Sequence, residues 1–378
     1  MDEEHMMQDY CRYQRGNPPT ILIASTSPLS GKSAFAVGIG TALRDQGYAV
    51  GYCQPLLIDH EYDHLAPNHL GFMRDALGLR GETDERIAPV HLTDAALAER
   101  LRDGRVQPVD LTEHVLETYH TLAMDKDVML VEGPDTRDEG SIVGLTAVDQ
   151  ARLLGAQVVV MVLGHEPWIM DRVMAYRRDL GDQLLGVVLN IVPRAALPYA
   201  VGTIAPALER LGVPVFGVLP EDRTLRSVSV EQVAGYLGGR VISGTDEADA
   251  LVEHVVVGAM GVESALSYLK RRERTALVTG GDRTDLLTAA LNNPEVANAI
   301  ACFILTGDLY PSPRILSRAA ECGVPCVLVP HDTRVTTERL DRVFGKVRFA
   351  QERKIERFSR ILVDRFDFPR FARMVGLD

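Results

Sequence analysis

The residues with the clearest chemistry lie in one stretch that begins at Ile21 and reads ILIASTSPLSGKSAFAVG. An apolar run typical of a buried strand leads into a loop of small residues, then Gly-Lys-Ser, then a helical pattern. Backbone N–H groups in a tight loop, together with the positive end of a helix, bind phosphate oxygens. The Lys32 ammonium would neutralise terminal phosphates, and the Ser33 hydroxyl would ligate magnesium. We therefore predict a cradle for ATP or a related nucleotide with Mg²⁺, formed by Thr26, Ser27, Ser30, Gly31, Lys32 and Ser33.

The loop departs from the strict pattern of such cradles, in which four residues separate a first glycine from Gly-Lys-Ser. That glycine would stand at position 26, where the chain has Thr26. A loop longer by one residue would need it at position 25, where the chain has Ser25. The alternative is an ordinary strand-to-helix turn that contains Gly-Lys-Ser by chance. The strand before the loop and the helix after it favour the cradle.

Two further strand ends carry polar residues that could complete the site. VMLVEGPD ends an apolar run in Glu132, and a carboxylate at the end of a neighbouring strand can hold the magnesium shell. GVVLNIVP contains Asn190, whose amide has the donor and the acceptor that pairing with adenine requires. From spacing alone, a strand-to-turn asparagine is the better explanation of Asn190. We predict Ser33 and Glu132 as metal-binding residues and assign no catalytic residue.

The composition is that of an ordinary globular chain and disfavours several classes of function. Of 378 residues, 46% are hydrophobic, and the formal net charge of −12 disfavours nucleic acid because phosphate contacts need clustered cations. No apolar run approaches the roughly 18 residues of a membrane span, and the acidic start lacks the pattern of a secretory signal. Five scattered cysteines are typical of reduced thiols, so we expect a cytoplasmic protein.

Continuous Val/Ile/Leu-rich runs alternate with amphipathic stretches through the first 240 residues, as expected for strands buried on both faces of a parallel sheet. A second such series begins near residue 245. The predicted fold is α/β: a doubly wound parallel P-loop sheet followed by a second, smaller α/β domain. The polar segment 242–250 marks the boundary between them. We predict an N-terminal tail at 1–17, a P-loop domain at 18–242, a second domain at 243–345 and a C-terminal amphipathic helical segment at 346–378.

In this order, the loop, the Val-Glu-Gly strand and the Gly-Val-x-x-Asn strand resemble the dethiobiotin synthetase-like P-loop family. That resemblance implies that Lys32 and Ser33 take the phosphate and metal, Glu132 the metal and Asn190 the base. Over about residues 18–365, the chain resembles the N-terminal half of long bacterial phosphate acetyltransferases, where such a domain precedes a DRTGG domain. The segments that carry this resemblance are STSPLSGKSA, LGVPVFGVLPEDRTL, VTGGDRTDLLTAAL, LTGDLYPSPRIL and GVPCVLVPHDTRVTT. The acyltransferase domain of those proteins would begin where this chain ends, so acetyl transfer is not expected here.

Two departures from dethiobiotin synthetases weigh against ligase chemistry. Those enzymes carry a lysine after the second strand, where this chain has Gln54, and small residues after Val-Glu-Gly, where it has Pro134 and Asp135. The first hypothesis is a regulatory or sensing protein that acts through its DRTGG domain, with weak ATP hydrolysis left open. The second is an ATP-dependent ligase or synthetase. The third is a nucleotide-free interaction scaffold, which the joint retention of Lys32, Ser33 and Glu132 disfavours.

Strand ends in the second domain place polar and glycine residues where open α/β sheets bind ligands. The set is Gly281, Asp282, Arg283, Gly307, Asp332 and Thr333. These residues either line a pocket for a small-molecule effector or a protein partner, or serve as helix caps with Arg283 in a local salt bridge. In the first domain, the run 59–69 offers several metal-ligating side chains but is more simply a solvated loop.

The C-terminal segment repeats Ile355, Phe358, Ile361 and Phe366 at helical spacing, with charges between them. This pattern predicts an amphipathic helix packed on the protein or on a second subunit rather than on a membrane. Six of the ten phenylalanines lie in residues 344–371, too many to leave in water. We therefore expect a homo-oligomer, most simply a dimer.

Overall fold

The computed structural model describes residues 18–59, 69–104, 108–345 and 352–377. The chain divides into two compact units. The first contains the described residues up to Glu221 and again from Glu352, and the second contains residues from Asp222 to Gly345. The predicted tail at 1–17, residues 60–68 of the histidine-rich run and residues 346–351 lie outside the described residues.

A six-stranded parallel sheet organises the first unit, in the order β2-β5-β1-β6-β7-β8. Its central strands are mostly apolar because helices cover both faces of the sheet. A separate parallel pair joins β3 to β4. The strands are β1 (Thr20–Ser25), β2 (Val50–Cys53), β3 (Leu56–Asp59), β4 (Val90–Thr93), β5 (Val128–Glu132), β6 (Gln157–Leu163), β7 (Leu184–Val192) and β8 (Val215–Pro220).

The helices of this unit connect the parallel strands, as crossover connections require. The first of them begins directly after the Gly-Lys-Ser loop. They are α1 (Lys32–Asp45), α2 (His69–Leu77), α3 (Asp84–Ile87), α4 (Asp94–Arg102), α5 (Pro108–Ala123), α6 (Ala147–Leu154), α7 (Ile169–Leu180), α8 (Leu197–Tyr199) and α9 (Ala205–Arg210).

The second unit has its own sheet of five strands, in the order β10-β15-β14-β13-β12. Only β10 runs antiparallel to its neighbour, and a short antiparallel pair joins β9 to β11. Its strands are β9 (Val228–Ser229), β10 (Arg240–Ser243), β11 (Leu251–Val252), β12 (His254–Val257), β13 (Thr275–Gly280), β14 (Ile300–Thr306) and β15 (Cys326–Leu328). Its helices are α10 (Arg223–Arg226), α11 (Val230–Tyr236), α12 (Val262–Leu269), α13 (Thr284–Asn292), α14 (Pro294–Ala299), α15 (Pro313–Glu321) and α16 (Thr333–Gly345).

The boundary between the units differs from the one expected from composition. The chain passes from the first unit to the second between Glu221 and Asp222, about twenty residues before the predicted division at 242/243. The reason is that β10 pairs with β15, and Val230 and Leu237 of the preceding segment pack in the core of the second unit. The polar segment 242–250 therefore lies inside the second unit, and its first two residues end β10.

After the second unit, the chain returns to the first and adds α17 (Glu352–Arg365) and α18 (Phe368–Val375). Both helices are amphipathic, as predicted, and their apolar faces meet α1 and β8. Phe366 makes ring contacts with Phe35 of α1 and Phe216 of β8, at centroid distances of 5.4 and 6.0 Å. The Asp367 N–H donates to the Phe216 carbonyl at 2.7 Å.

Two glycines allow this close packing. A Cβ on Gly38 would lie 2.4 Å from a methyl carbon of Leu362, and a Cβ on Gly217 would lie 2.7 Å from the Arg365 carbonyl oxygen. The chain's own first unit therefore covers Phe358, Phe366 and Phe371. This corrects the argument that these side chains need a second subunit. A homo-oligomer stays a prediction, without support from these phenylalanines.

The cysteines of the described residues act as small apolar side chains. Cys53, Cys302 and Cys326 are buried and free, and burial raises the pKa of the Cys53 and Cys326 thiols to about 12. Across the described ranges, no group of three or more His, Cys, Asp or Glu side chains is placed to hold a metal ion. The same residues contain no helix with the length and apolar character of a bilayer span.

Removing the central ring of the C-terminal packing should destabilise the first unit. We expect Phe366→Ala to lose about 3 kcal/mol of unfolding free energy, because it deletes a buried aromatic side chain with several ring neighbours. Val363→Ala, three residues earlier at the end of α17, is the matched control, since Val363 is 85% exposed. Urea denaturation followed by circular dichroism measures both. Equal stability of the two variants would contradict the described packing.

Candidate functional site

The loop between β1 and α1 has the shape of a phosphate cradle. Gly31 sits at the helix start with φ 91°, a left-handed conformation that favours glycine. The first helical turn closes through a hydrogen bond from Phe35 N to Gly31 O of 3.0 Å. A Cβ at position 31 would lie 2.5 Å from the Asn190 side-chain nitrogen. Glycine is therefore required here by conformation and by space.

Hydrogen bonds to the neighbouring strands β6 and β7 hold the loop in position. Thr26 N donates to the Met161 carbonyl of β6 at 3.1 Å, and the Thr26 hydroxyl accepts from Leu163 N at 3.4 Å. From β7, the Asn190 amide nitrogen donates to the Ser30 carbonyl at 2.8 Å, with Asn190 almost fully buried. Asn190 thus fixes the position of the loop. Its contact with an adenine base stays a prediction.

Lys32 opens α1 and is only 5% exposed. Its Nζ lies 2.5 Å from Oδ1 of Asp135 and donates to the Ser25 hydroxyl at 3.3 Å. The Ser25 hydroxyl in turn donates to the Asp135 carbonyl at 2.7 Å, and the Ser25 carbonyl accepts from Tyr176 OH at 2.8 Å. The buried ammonium is therefore fixed between the end of β1 and the segment that follows β5.

Ser33 and Glu132, the two predicted metal-binding residues, are in direct contact. The Ser33 hydroxyl donates to Glu132 Oε1 at 2.7 Å, and Tyr52 OH donates to Oε2 at 2.9 Å. Burial, and then the adjacent Glu132 carboxylate, hold the pKa of Tyr52 well above its usual range. Tyr52 therefore stays protonated and orients the carboxylate toward Ser33.

Two buried hydroxyls in the loop bear on whether a phosphate fits there. The side-chain oxygens of Ser27 and Ser30 are buried and have no hydrogen-bond partner in the described part of the chain. Buried polar groups are normally paired, and unpaired ones need an explanation such as a missing ligand. Hydroxyl donors beside a lysine and a helix N-terminus match the acceptor oxygens of a phosphate. The residues present therefore fit a nucleotide phosphate.

The structure brings the predicted cradle residues together and adds three that the sequence analysis missed: Tyr52, Asp135 and Tyr176. Tyr52 lies in an apolar run, and a buried tyrosine hydroxyl needs a hydrogen-bond partner. The sequence therefore indicated that Tyr52 has a polar neighbour, but not which one. Asp135 was noted only as a departure from dethiobiotin synthetases. No local pattern indicates that it pairs with Lys32, since 103 residues separate them.

The candidate residues of the second unit lie at the carboxyl ends of β13, β14 and β15 but engage one another only in part. Arg283 pairs with Asp285, with Nε 3.0 Å from Oδ1, and donates from Nη1 to the Gly258 carbonyl at 2.9 Å. Asp332 Oδ1 accepts from Val335 N at 2.8 Å, as a helix cap does. The Asp282 carbonyl accepts from Thr284 N at 2.7 Å.

The remaining members have structural contacts as well. The Thr333 and Thr306 hydroxyls are 2.9 Å apart. A Cβ on Gly281 would overlap the Leu309 carbonyl oxygen, and Gly307 has φ 77°. These contacts match the alternative of caps and a local salt bridge. A ligand at this edge stays a prediction.

Comparison with protein families places both units. A family model described as an AAA domain matches residues 19–229, and a model of the DRTGG domain matches residues 232–343. The chain belongs to the AAA domain family. It joins a dethiobiotin synthetase-like P-loop domain to a DRTGG domain, the arrangement of the N-terminal half of phosphate acetyltransferases, as the sequence predicted.

Full-length relatives agree with this arrangement. The chain is 26% identical over 377 residues to the phosphate acetyltransferase of Pseudomonas aeruginosa, covering 94% of this chain and 52% of that protein. It is 26% identical over 336 residues to that of Synechocystis, covering 85% and 47%. The chain therefore spans about half the length of these relatives.

Solved structures show more distant likeness. Cobyrinic acid a,c-diamide synthase of Mycobacterium smegmatis, solved with an ATP analogue and magnesium, is 19% identical, with coverage of 55% of this chain and 88% of that chain and a TM-score of 0.32. The CBS and DRTGG domains of a Clostridium perfringens pyrophosphatase, solved with diadenosine tetraphosphate, are 18% identical. That match covers 37% of this chain and 56% of that chain, with a TM-score of 0.27.

The role of Gly31 can be tested against a matched glycine. Gly31→Ala should lose about 3 kcal/mol of unfolding free energy, because it adds strain at positive φ and displaces the Asn190 amide from Ser30. Gly47 has nearly the same φ, 94°, but no atom within 4 Å of an added Cβ. Gly47→Ala should therefore lose only about 1 kcal/mol. Equal losses in chemical denaturation would mean that Asn190 does not contact the loop.

Proposed function

We propose that the AAA domain of this chain binds ATP, or a closely related nucleotide, together with Mg²⁺. The observation that supports this most directly is the convergence of Lys32, Ser33 and Glu132 at the start of α1. They lie beside a loop whose Ser27 and Ser30 hydroxyls are buried and have no hydrogen-bond partner among the described residues. A magnesium–nucleotide complex needs a cation for the phosphates, oxygen ligands for the metal and hydrogen-bond donors for the phosphate oxygens. These residues supply all three.

Each cradle residue has a separate task in this proposal. Lys32 neutralises the terminal phosphates, and the Ser27 and Ser30 hydroxyls donate to phosphate oxygens. Ser33 and Glu132 supply the oxygen ligands that magnesium prefers. The ion would neutralise phosphate charge when bound. Thr26 and Asn190 hold the loop in the shape that the phosphates require.

We further propose a regulatory or sensing role for the two domains described here. The relatives with curated names are phosphate acetyltransferases, and the chain spans about half of their length. Ligase chemistry is disfavoured because Gln54, at the end of β2, cannot supply a cation to an anionic intermediate. The DRTGG domain would pass the nucleotide signal to a small effector or a protein partner.

Removing the Lys32 charge tests nucleotide binding directly. Lys32→Ala should weaken ATP binding at least tenfold, because a charge-assisted contact to phosphate contributes on the order of 2 kcal/mol. Lys126→Ala is the control, since Lys126 precedes β5 at the opposite end of the sheet and makes no ion pair within the described ranges. Isothermal titration calorimetry measures both. Equal ATP affinity of wild type and Lys32→Ala would contradict the proposal.

The metal assignment has a separate test. Ser33→Ala should lose most of the gain in ATP affinity that Mg²⁺ provides, because it removes one oxygen ligand. Ser27→Ala should weaken binding to a similar extent with and without Mg²⁺, since its expected partner is phosphate. Titrations of both variants with ATP in Mg²⁺ and in EDTA separate these effects. A full magnesium gain in Ser33→Ala would remove Ser33 from the metal site.

A further inference from the structure

The buried ammonium of Lys32 already has an anionic partner from its own chain. Lys32 is 5% exposed, whereas the Asp135 side chain is 52% exposed, so the carboxylate reaches the ammonium from the solvent side. A cation taken out of water needs a counter-charge close to it. The side-chain ion pair that the structure gives Lys32 is with Asp135, at 2.5 Å. This is the contact that a terminal phosphate would make.

Backbone contacts hold Asp135 in this place. Its carbonyl accepts from the Ser25 hydroxyl at 2.7 Å, and its N–H donates to the Glu139 carboxylate. Two residues further on, Arg137 is bonded to Asp179 of α7, with Nε 2.8 Å from Oδ2. The backbone of this segment is therefore attached at several points. The Asp135 side chain can change its rotamer without detaching the segment from the domain.

A phosphate and the Asp135 carboxylate cannot both bind closely to Lys32 at low cost. Two anions placed side by side repel each other, and the repulsion is strong where water is largely excluded. The Ser25 hydroxyl and the Asp135 carboxylate already accept two of the three ammonium protons, which leaves one. A terminal phosphate that takes more than one of these protons therefore has to displace the carboxylate.

We propose that Asp135 is an internal competitor of the terminal phosphate: its carboxylate neutralises Lys32 in the empty cradle and leaves when a nucleotide binds. The proposal rests on the proposed function. The competition lowers the affinity for nucleotides whose phosphates reach Lys32, so that the cradle fills only at higher nucleotide concentrations. Nucleotides that are too short to reach Lys32 are unaffected. Asp135 thus sets the concentration range over which the domain responds.

The test compares two substitutions in one loop. Asp135→Asn removes the competing charge and keeps the shape and backbone contacts of the residue. Asp138→Asn removes the same charge three residues later, where the side chain pairs with Arg137 and does not touch Lys32. Wild type and both variants are titrated with ATP, pyrophosphate and AMP in Mg²⁺ by calorimetry. Asp135→Ser is measured in parallel, in case the amide disturbs folding.

Asp135→Asn should bind ATP and pyrophosphate about two- to fivefold more tightly than wild type, since a partly exposed charge no longer competes. Asp138→Asn should match wild type, and AMP affinity should not change in any variant. If wild type binds ATP and both Asp135 variants bind it equally or more weakly, the competition is refuted while nucleotide binding stands. If wild type fails to bind and Asp135→Asn binds, nucleotide binding by the natural chain is refuted while the competition at Lys32 is supported. If no variant binds any of the three ligands, both fail.

Discussion

The site of the first unit depends on one interaction, the neutralisation of the buried Lys32 ammonium. Lys32 begins α1, and its ammonium lies below the surface between the end of β1 and the segment after β5. Burial of that charge without a partner would cost several kcal/mol. The Ser25 and Asp135 contacts around it, and the Tyr176 bond to Ser25, follow from this requirement. These contacts keep the Lys32 ammonium at the start of α1, where the phosphates of a nucleotide would bind.

Much of the fold follows from local sequence. The largely apolar runs at 20–25 and 184–192 predict β1 and β7 to the residue, because a strand buried on both faces is mostly apolar. Short elements are harder to recognise. β10 has four residues and is only partly buried, so it is hard to tell from a loop. This is why the boundary between the units was predicted too late in the chain.

The site could be predicted in its residues but not in its contacts. Gly31, Lys32 and Ser33 are adjacent in sequence and stand between a strand and a helix, so their roles can be read locally. The partners of Lys32 and Tyr52 are 103 and 80 residues away, and only the order of strands brings them close. In the same way, helical spacing predicted which face of the C-terminal segment is apolar. It could not identify α1 and β8 as the surface that this face covers.

The return of the chain to its first unit has a consequence for biosynthesis. Translation proceeds from the N-terminus, and domains generally begin to fold as they emerge, at about 5–20 residues per second. The AAA domain here cannot complete its packing on α1 and β8 until α17 and α18 are made, after the whole second unit. For an interval on the order of ten seconds, Phe35 and Phe216 lack their cover on the nascent chain. The ribosome therefore finishes the DRTGG domain before it finishes the AAA domain, although the AAA domain begins first.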